Sequence, residues 1–514
     1  LTSAPTRLPY VFLVLAAAFA FGNSLRAPFH FDDHALFVDP AIVSPGGFWD
    51  VWRPDQSRPL TWFTFWANYR LHGRWAPGFH FVNLAVHLVA SCLVLACLSR
   101  IIPLRCAQIA AAIFAIHPIQ TEAVVYVFAR GTLLAAALCL ISYYCWLRGW
   151  HWKAAATFAL ALLAKEECAA FPVFLALQHL SISRNRAELP PILLMLGLSL
   201  AAVARVAILT TVTPGSGAGV QAGITPLDYF VTQGWVILRY LLLLAVPVGF
   251  TVDPDIAVLS GWRGLLCWLT IAALAAAALR AFHGARSGFW FLAGLILLAP
   301  TSTIFPASDL SADRRVYLPL FALAAAAGML LERTGVPRLL TTGGVVLAML
   351  SFARTHVWRS ESALWEDAMR WAPEKVRPRV QLARVAPRGQ AHQFLMEARR
   401  LAPNDPLVAS ELGRLYLAEN KPGEALKEFG LAVAANPNDP FALNNRGVAL
   451  RLLGMAELAK ADFRKALDLR PCLFDARLNL AKTGERTELP ADCRVTPEQR
   501  MEWQDWREKY KPGR

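Results

Sequence analysis

The sequence predicts an all-α protein in two parts, a polytopic bundle of membrane-spanning helices followed by a water-soluble α-solenoid. Three observations carry this. Apolar runs of bilayer-spanning length recur through the first 356 residues. Charge is unevenly divided: residues 1–356 hold 24 Lys/Arg and 15 Asp/Glu, whereas 357–514 hold 27 and 22, nearly one residue in three. Pro403, Pro437 and Pro471 stand 34 residues apart, the period of a two-helix repeat. The whole chain is only 17% charged, against about 25% for an ordinary soluble protein.

The apolar runs fall at roughly 8–25, 79–98, 106–128, 131–147, 189–211, 226–246, 262–282, 288–305, 316–332 and 339–355. The stretch 152–181 adds two short spans interrupted by Lys165-Glu166-Glu167, for about 11–12 spans. Leu8 to Leu25 lacks a small-residue cleavage site, so it reads as a retained first helix rather than a removed signal peptide. With the N-terminus inside, Arg100/Arg105, Arg148/Lys153 and Arg184/Arg186 all fall inside, as retained positive charge requires. Arg280 and Arg286 also read as inner, yet three runs separate them from Arg186. A return to the same side needs an even number, so one run is interfacial or re-entrant; 226–246, which contains Arg239, is the candidate. The loop 26–58, the segment 305–319 and the soluble tail then lie outside.

The net charge of +14 is concentrated in short inter-span loops, and no basic stripe with interleaved aromatics accompanies it, which sets nucleic acid aside. Seven of nine cysteines lie in apolar runs as small core residues, and no CxxC spacing occurs. Cys472 and Cys493 lie in the tail; an oxidising compartment would let them pair, which spacing alone does not show.

The tail repeats "APNDP" (402–406) as "NPNDP" (436–440). In the first unit Leu412, Gly413, Tyr416, Ala425, Phe429, Ala432 and Pro437 occupy the positions of a tetratricopeptide repeat; the second keeps Gly447, Ala459, Phe463, Ala466 and Pro471. A degenerate unit near 361–400 and a last helix near 474–484 would cap the stack, since single repeats cannot bury their apolar faces. The predicted domains are 1–356, a membrane module; 357–400, a connector and degenerate repeat; 401–484, the repeats; and 485–514, a C-terminal tail.

Ionisable groups at membrane depth cost about 2.5–3.5 kcal/mol each on insertion scales, so they mark functional cavities by default. Four clusters stand out, all on the outer side of this topology. The first is His30-Phe31-Asp32-Asp33-His34. Adjacent carboxylates repel, which raises one pKa and suits it to general-base work; the plain alternative is a solvated turn. Asp and His are common metal ligands, so a divalent cation, Mg or Mn, is a candidate cofactor, but no third and fourth ligand stand at a recognisable spacing and any metal site is unknown. The second, "HPIQTEAVVYVFARG" (117–131), opens on His117 and Pro118 and spaces Glu122, Tyr126 and Arg130 along one helical face, either for function or as a structural ion pair. The third is Lys165-Glu166-Glu167. The fourth, "SADRRVYLP" (311–319), sets Asp313, Arg314, Arg315 and Tyr317 on the side where arginine is least expected. A resident phosphate would explain it, because arginine binds phosphate through paired charge-assisted hydrogen bonds; a salt bridge from Asp313 to one of the arginines is the alternative.

Acids on one wall and cations on the other suit displacement of a phosphate from an anomeric carbon. A carboxylate takes the proton of the incoming hydroxyl, and cations stabilise the charge developing on the departing phosphate.

These motifs, "FDDH", "RPLTWFTFWANY", "FHFVNLAVHL", "FAIHPIQTEAVVYVFARGTLLA", "LLAKEE" and "ADRRVYLP", followed by tetratricopeptide repeats, resemble the membrane O-mannosyltransferases with tetratricopeptide repeats. They are also similar to bacterial relatives in the C-type (GT-C) glycosyltransferase superfamily. The resemblance covers nearly the whole chain and implies a GT-C-like bundle, a dolichyl- or polyprenyl-phosphate sugar donor, inversion at the anomeric carbon and an acceptor on the outer face. It implies Asp33, or Asp32, as the base. Arg314, Arg315, Lys165 and Arg130 would hold the donor phosphate, with His34, His117, Glu122, Glu166, Asp313 and Tyr317 in support. Two positions depart from the family pattern, Asp313 where glutamate is usual and Glu167-Cys168 where Gln-Gly follows "KE", so the sugar is left open.

The leading expectation is therefore a multi-pass inverting hexosyltransferase, with mannose as one sugar, acting on a protein or glycan hydroxyl. The Ala-rich spans favour a bacterial cytoplasmic membrane, with the repeats outside to dock an acceptor or a protein partner. The alternative is a membrane-anchored tetratricopeptide scaffold without catalysis. A transporter would want charges at the midplane and an internal two-fold repeat, whereas most charges here sit at span ends and no such symmetry is found.

Overall fold

The computed structural model describes residues 7–509, apart from 45, 55, 213–218, 220–221, 283–285, 303–304, 334, 486, 491–492, 494 and 496. Among these residues the chain is all helix and turn, without a strand. It divides into two compact units, the first running to Ser360 except for Val38–Pro40, which group with the second, and the second continuing from Glu361.

Seven helices of the first unit are long and apolar enough to cross a membrane, or eight if Leu104–Ile116 and Pro118–Val125, bent by 46°, form one span. The expected 11–12 spans are thus fewer on length and composition alone. His151–Ala164 has 14 residues, about 21 Å of helix, against a hydrocarbon core of about 30 Å. Phe171–Gln178 is shorter still, and Pro337–Val357 is long enough but diluted by Thr341-Thr342-Gly343-Gly344. The bundle packs through small residues, which let helix backbones approach closely. Gly328 shows the requirement: a Cβ there would meet the Cys106 carbonyl oxygen at 2.6 Å. Larger rings, among them Tyr143, Phe174, Trp290 and Phe321, fill the interior edge to face.

Each of the four charged motifs includes a short 3₁₀ turn at a break between helices: Phe31–Phe37, Pro118–Gln120 with Val127–Ala129, Glu166–Ala170 and Asp313–Val316. Extended residues make these breaks. His117 (ψ 134°) precedes Pro118, as steric clash with the proline ring requires, and Tyr126 (ψ 113°), Lys165 (φ −163°, ψ 136°) and Ala312 (ψ 125°) interrupt the other segments.

The second unit is a helical solenoid. Asp405 and Asp439 cap the first helices of the two clear repeats, accepting from Leu407 and Val408 and from Phe441 respectively, and a proline occupies the first turn of each. Gly413 faces Phe429 and Gly447 faces Phe463; a Cβ at either glycine would come within 2.6 Å of the ring. Residues 361–400 form three helices, Glu361–Trp371, Val376–Val385 and Arg388–Leu401. Beyond Phe474–Lys482, a further helix, Pro497–Lys509, places Trp503 against Phe474, Leu478 and Ala481 and so covers the open apolar end. Cys472 and Cys493 form a disulfide just before and after that last repeat helix.

Candidate functional site

The turns that break the helices bring the charged motifs together at one end of the bundle. In the first loop the adjacent aspartates separate by environment. Asp33 is wholly buried and accepts from the backbone amides of His30 (3.0 Å) and Phe128 (2.8 Å). Burial pushes its carboxyl up to about 8, against the two amides that favour the anion. Asp32 is exposed; one of its oxygens accepts from the Tyr126 hydroxyl at 2.8 Å. Asp33 therefore braces the loop against the 127–129 turn, and Asp32 presents a carboxylate to the surroundings.

Tyr126 links this acid to a cation. The Arg314 guanidinium stands 5.9 Å from the Tyr126 ring centre and is ion-paired to Glu122, whose second oxygen accepts from the Arg314 backbone amide at 3.1 Å. Glu122 thus holds the arginine at both backbone and side chain. Lys165 pairs with Glu167 and donates to Thr132 at 2.8 Å. Gly131 lies directly beneath, where a Cβ would come within 3.6 Å of the Lys165 chain. Burial lowers the Lys165 ammonium to about 8, with the nearby charges of Arg58 and Arg314 adding to the effect and Glu167 opposing it.

Arg58 was not among the residues singled out from sequence. It donates to both oxygens of Glu166, 3.0 Å from Nε and 2.5 Å from a terminal nitrogen. Burial alone would raise the Glu166 carboxyl; Arg58, and then Lys165, hold it down at about 2 instead. Arg58 opens the "RPLTWFTFWANY" motif ahead of the Pro59–His72 helix, but nothing in that stretch points to an acid 108 residues on.

Several expectations are corrected. Arg130 is not placed to hold a phosphate. It is fully buried and donates to Asn83 (2.8 Å), Asn68 (2.8 Å), the Phe79 carbonyl (3.0 Å) and the Thr64 carbonyl (3.3 Å), between the Phe65 and Phe79 rings. The single helical face assumed for Glu122, Tyr126 and Arg130 does not exist, because the chain is extended at Tyr126. Arg315 donates to the Asp309 and Leu310 carbonyls and the Tyr229 hydroxyl, which binds it into its own loop. Asp313 pairs with Arg239 at 3.0 Å rather than with either neighbouring arginine. His117 accepts from Ile119 through Nδ1 and reaches the Leu244 carbonyl through Nε2, and Tyr317 is buried against His87 at 2.8 Å. Both are structural. His34 is exposed beside the aspartates. Among the described residues no three His, Cys, Asp or Glu side chains converge to hold a metal ion.

Fold and site define a class: a multi-pass membrane protein with a cluster of paired acids and cations at one end of the bundle, carrying a tetratricopeptide solenoid. Comparison with known proteins bears out the resemblance read from the motifs. The chain is 37% identical over 147 residues to protein O-mannosyl-transferase Tmtc2 of Drosophila melanogaster, covering 26% of this chain and 16% of that protein. It is 24% identical to protein O-mannosyl-transferase TMTC3 of Mus musculus over 89% of this chain and 60% of the relative. It therefore spans less than two thirds of the length of the curated relatives it matches. No family model matches. Among solved structures, ArnT from Cupriavidus metallidurans bound to undecaprenyl phosphate superposes with a TM-score of 0.38 at 14% identity, over 90% of this chain and 80% of that one.

Proposed function

We propose that the protein is an inverting glycosyltransferase that moves a hexose, mannose being the first candidate, from a polyprenyl or dolichyl phosphate to a hydroxyl of a protein or glycan. The observation that carries this is the convergence of an exposed carboxylate, Asp32, with Lys165, Arg58 and Arg314 at one end of the bundle. Asp32 takes the proton of the acceptor hydroxyl. The hydroxyl oxygen bonds to the anomeric carbon on the face opposite the phosphate, and the electron pair of the breaking bond leaves on the phosphate. Arg314, Lys165 and Arg58 stabilise that charge. Asp33 keeps the loop in place.

The disulfide in the second unit favours an oxidising compartment for the repeats, and the Ala-rich spans favour a bacterial cytoplasmic membrane with the site outside. The repeats would present the acceptor or a partner. The test uses protein in nanodiscs with a panel of labelled polyprenyl-phosphate hexoses and cell-extract acceptors. Transfer by the wild type, lost in Asp32→Asn and Arg314→Ala with folding intact, is the expected result. No transfer with any donor would overturn the reading in favour of a scaffold.

A further inference from the structure

Pro226–Ala245 is a continuous helix of 20 residues, about 30 Å long, and by length and composition it qualifies as a span. Its contacts say otherwise. Tyr229 donates to the Thr301 carbonyl (3.0 Å), Gln233 to the Leu310 carbonyl (3.0 Å), and Arg239 to Asp313 (3.0 Å). The Tyr240 hydroxyl donates to the Ala312 carbonyl (3.0 Å) and accepts from the Ala312 amide (2.9 Å). The Leu244 carbonyl meets His117. From Tyr229 to Leu244 the helix advances about 22 Å, yet every one of these partners lies at the site end. Thr301 lines the same small cavity as Thr132, Glu167 and Arg315, residues 310–313 lead into Arg314, and His117 leads into the Glu122 turn. Its neighbour Trp262–Phe282 meets it through its first two turns, with Trp268 stacked on Phe230 and Gly264 against Val231.

We infer that the Pro226–Ala245 helix lies along the membrane surface at the site end instead of crossing, and that its Tyr229–Gln233–Arg239–Tyr240 side is a splint positioning the loop that carries Arg314 and Arg315. An in-plane helix resolves the parity of the basic loops. With it removed from the crossings, two helices separate Arg186 from Arg280, and both loops fall on one side. It also explains its composition. One side is buried on polar backbone, while Leu227, Trp235 and Leu242, exposed by 70%, 42% and 58%, are left to the lipid. As positioning residues for the donor phosphate, Arg239 and Tyr240 rest on the transfer reading above; the orientation of the helix does not.

The experiment is side-specific labelling of single introduced cysteines with a membrane-impermeant maleimide, using the parent protein as blank and Arg148→Cys as the opposite-side control. Leu227→Cys and Val246→Cys are expected to react from the same side, opposite to the control. Reaction of the two ends from opposite sides would overturn the inference. Hydrogen exchange then tests the splint without requiring turnover. Tyr240→Phe should speed exchange at the Ala312 amide at least tenfold, and an unchanged rate would overturn that part. In a transfer assay Arg239→Met should raise the donor KM several-fold with the acceptor KM unchanged, and Arg239→Lys, which keeps a cation for Asp313, should restore it. Equal behaviour of the two variants would refute the positioning role.

Discussion

Removing the Arg58–Glu166 pair tests the site most directly, because the pair joins two motifs 108 residues apart in sequence. Glu166 is held at about 2 rather than the ordinary 4.5, a difference equivalent to roughly 3 kcal/mol. The side chains keep 34% and 24% of their exposure, so solvent screening brings the expected coupling down to about 1–2 kcal/mol. The assay is a double-mutant cycle of Arg58→Gln, Glu166→Gln and the double variant, read by equilibrium unfolding in one detergent. A depressed carboxyl favours the folded state most where both states are ionised. The contribution should therefore be complete above the ordinary 4.5 and disappear as pH falls toward about 2. Glu166→Gln should accordingly converge on wild type in acid. A coupling near zero at neutral pH, or no convergence, would refute the assignment of Glu166 as the anchor of Arg58.

Three further outcomes follow from the same geometry. Donor affinity should fall as pH rises through about 8, where Lys165 loses its proton, and Lys165→Arg should hold its affinity to higher pH; a flat profile in the wild type would remove Lys165 from the phosphate site. Arg130→Lys should cost about 1–3 kcal/mol for each buried acceptor it leaves unpaired at Asn83 and Asn68, so that size-exclusion chromatography shows less monodisperse protein than for Asp32→Asn, whose side chain is exposed. Gly447→Val should drive the Phe463 ring out of its seat at about 1–3 kcal/mol, speeding hydrogen exchange across 440–469 with the membrane unit unaffected.

Most of the fold was legible because it rests on periodicities. The 34-residue spacing marked Gly413, Phe429, Gly447 and Phe463 as repeat positions, and the structure sets Gly413 against Phe429 and Gly447 against Phe463. The charged motifs could be read as a set because each is costly at membrane depth. Which members face a ligand was not readable, because that depends on where the helix breaks. A face-sharing rule put Glu122 and Arg130 together; one extended residue, Tyr126, sends Glu122 to Arg314 and Arg130 into the core. Asp32 and Asp33 are adjacent and chemically identical in sequence, and only burial separates them. Long-range partners such as Arg58 and Arg239 leave no local pattern, since their acids lie 108 and 74 residues away.

The pairing itself constrains how such a site could work. Arg58, Lys165 and Arg314 are each matched by a glutamate in the resting structure, Glu166, Glu167 and Glu122. A buried cation left without a partner is strongly destabilising, so these acids let the cations stand at the membrane edge before any ligand arrives. A phosphate binding there need not break the pairs, because a guanidinium has five N–H donors and a carboxylate engages two. Lysine is different: two of its three donors are already drawn to Glu167 and Thr132, and it is the cation whose charge burial weakens most easily. The donor's phosphodiester, a monoanion, would strengthen that charge on arrival, and the departing phosphate monoester, with its second negative charge, would strengthen it further. On this reasoning Lys165 is the cation whose interaction grows most between bound donor and leaving phosphate. Its replacement should lower kcat more than it raises the donor KM, whereas loss of Arg58 should do the reverse.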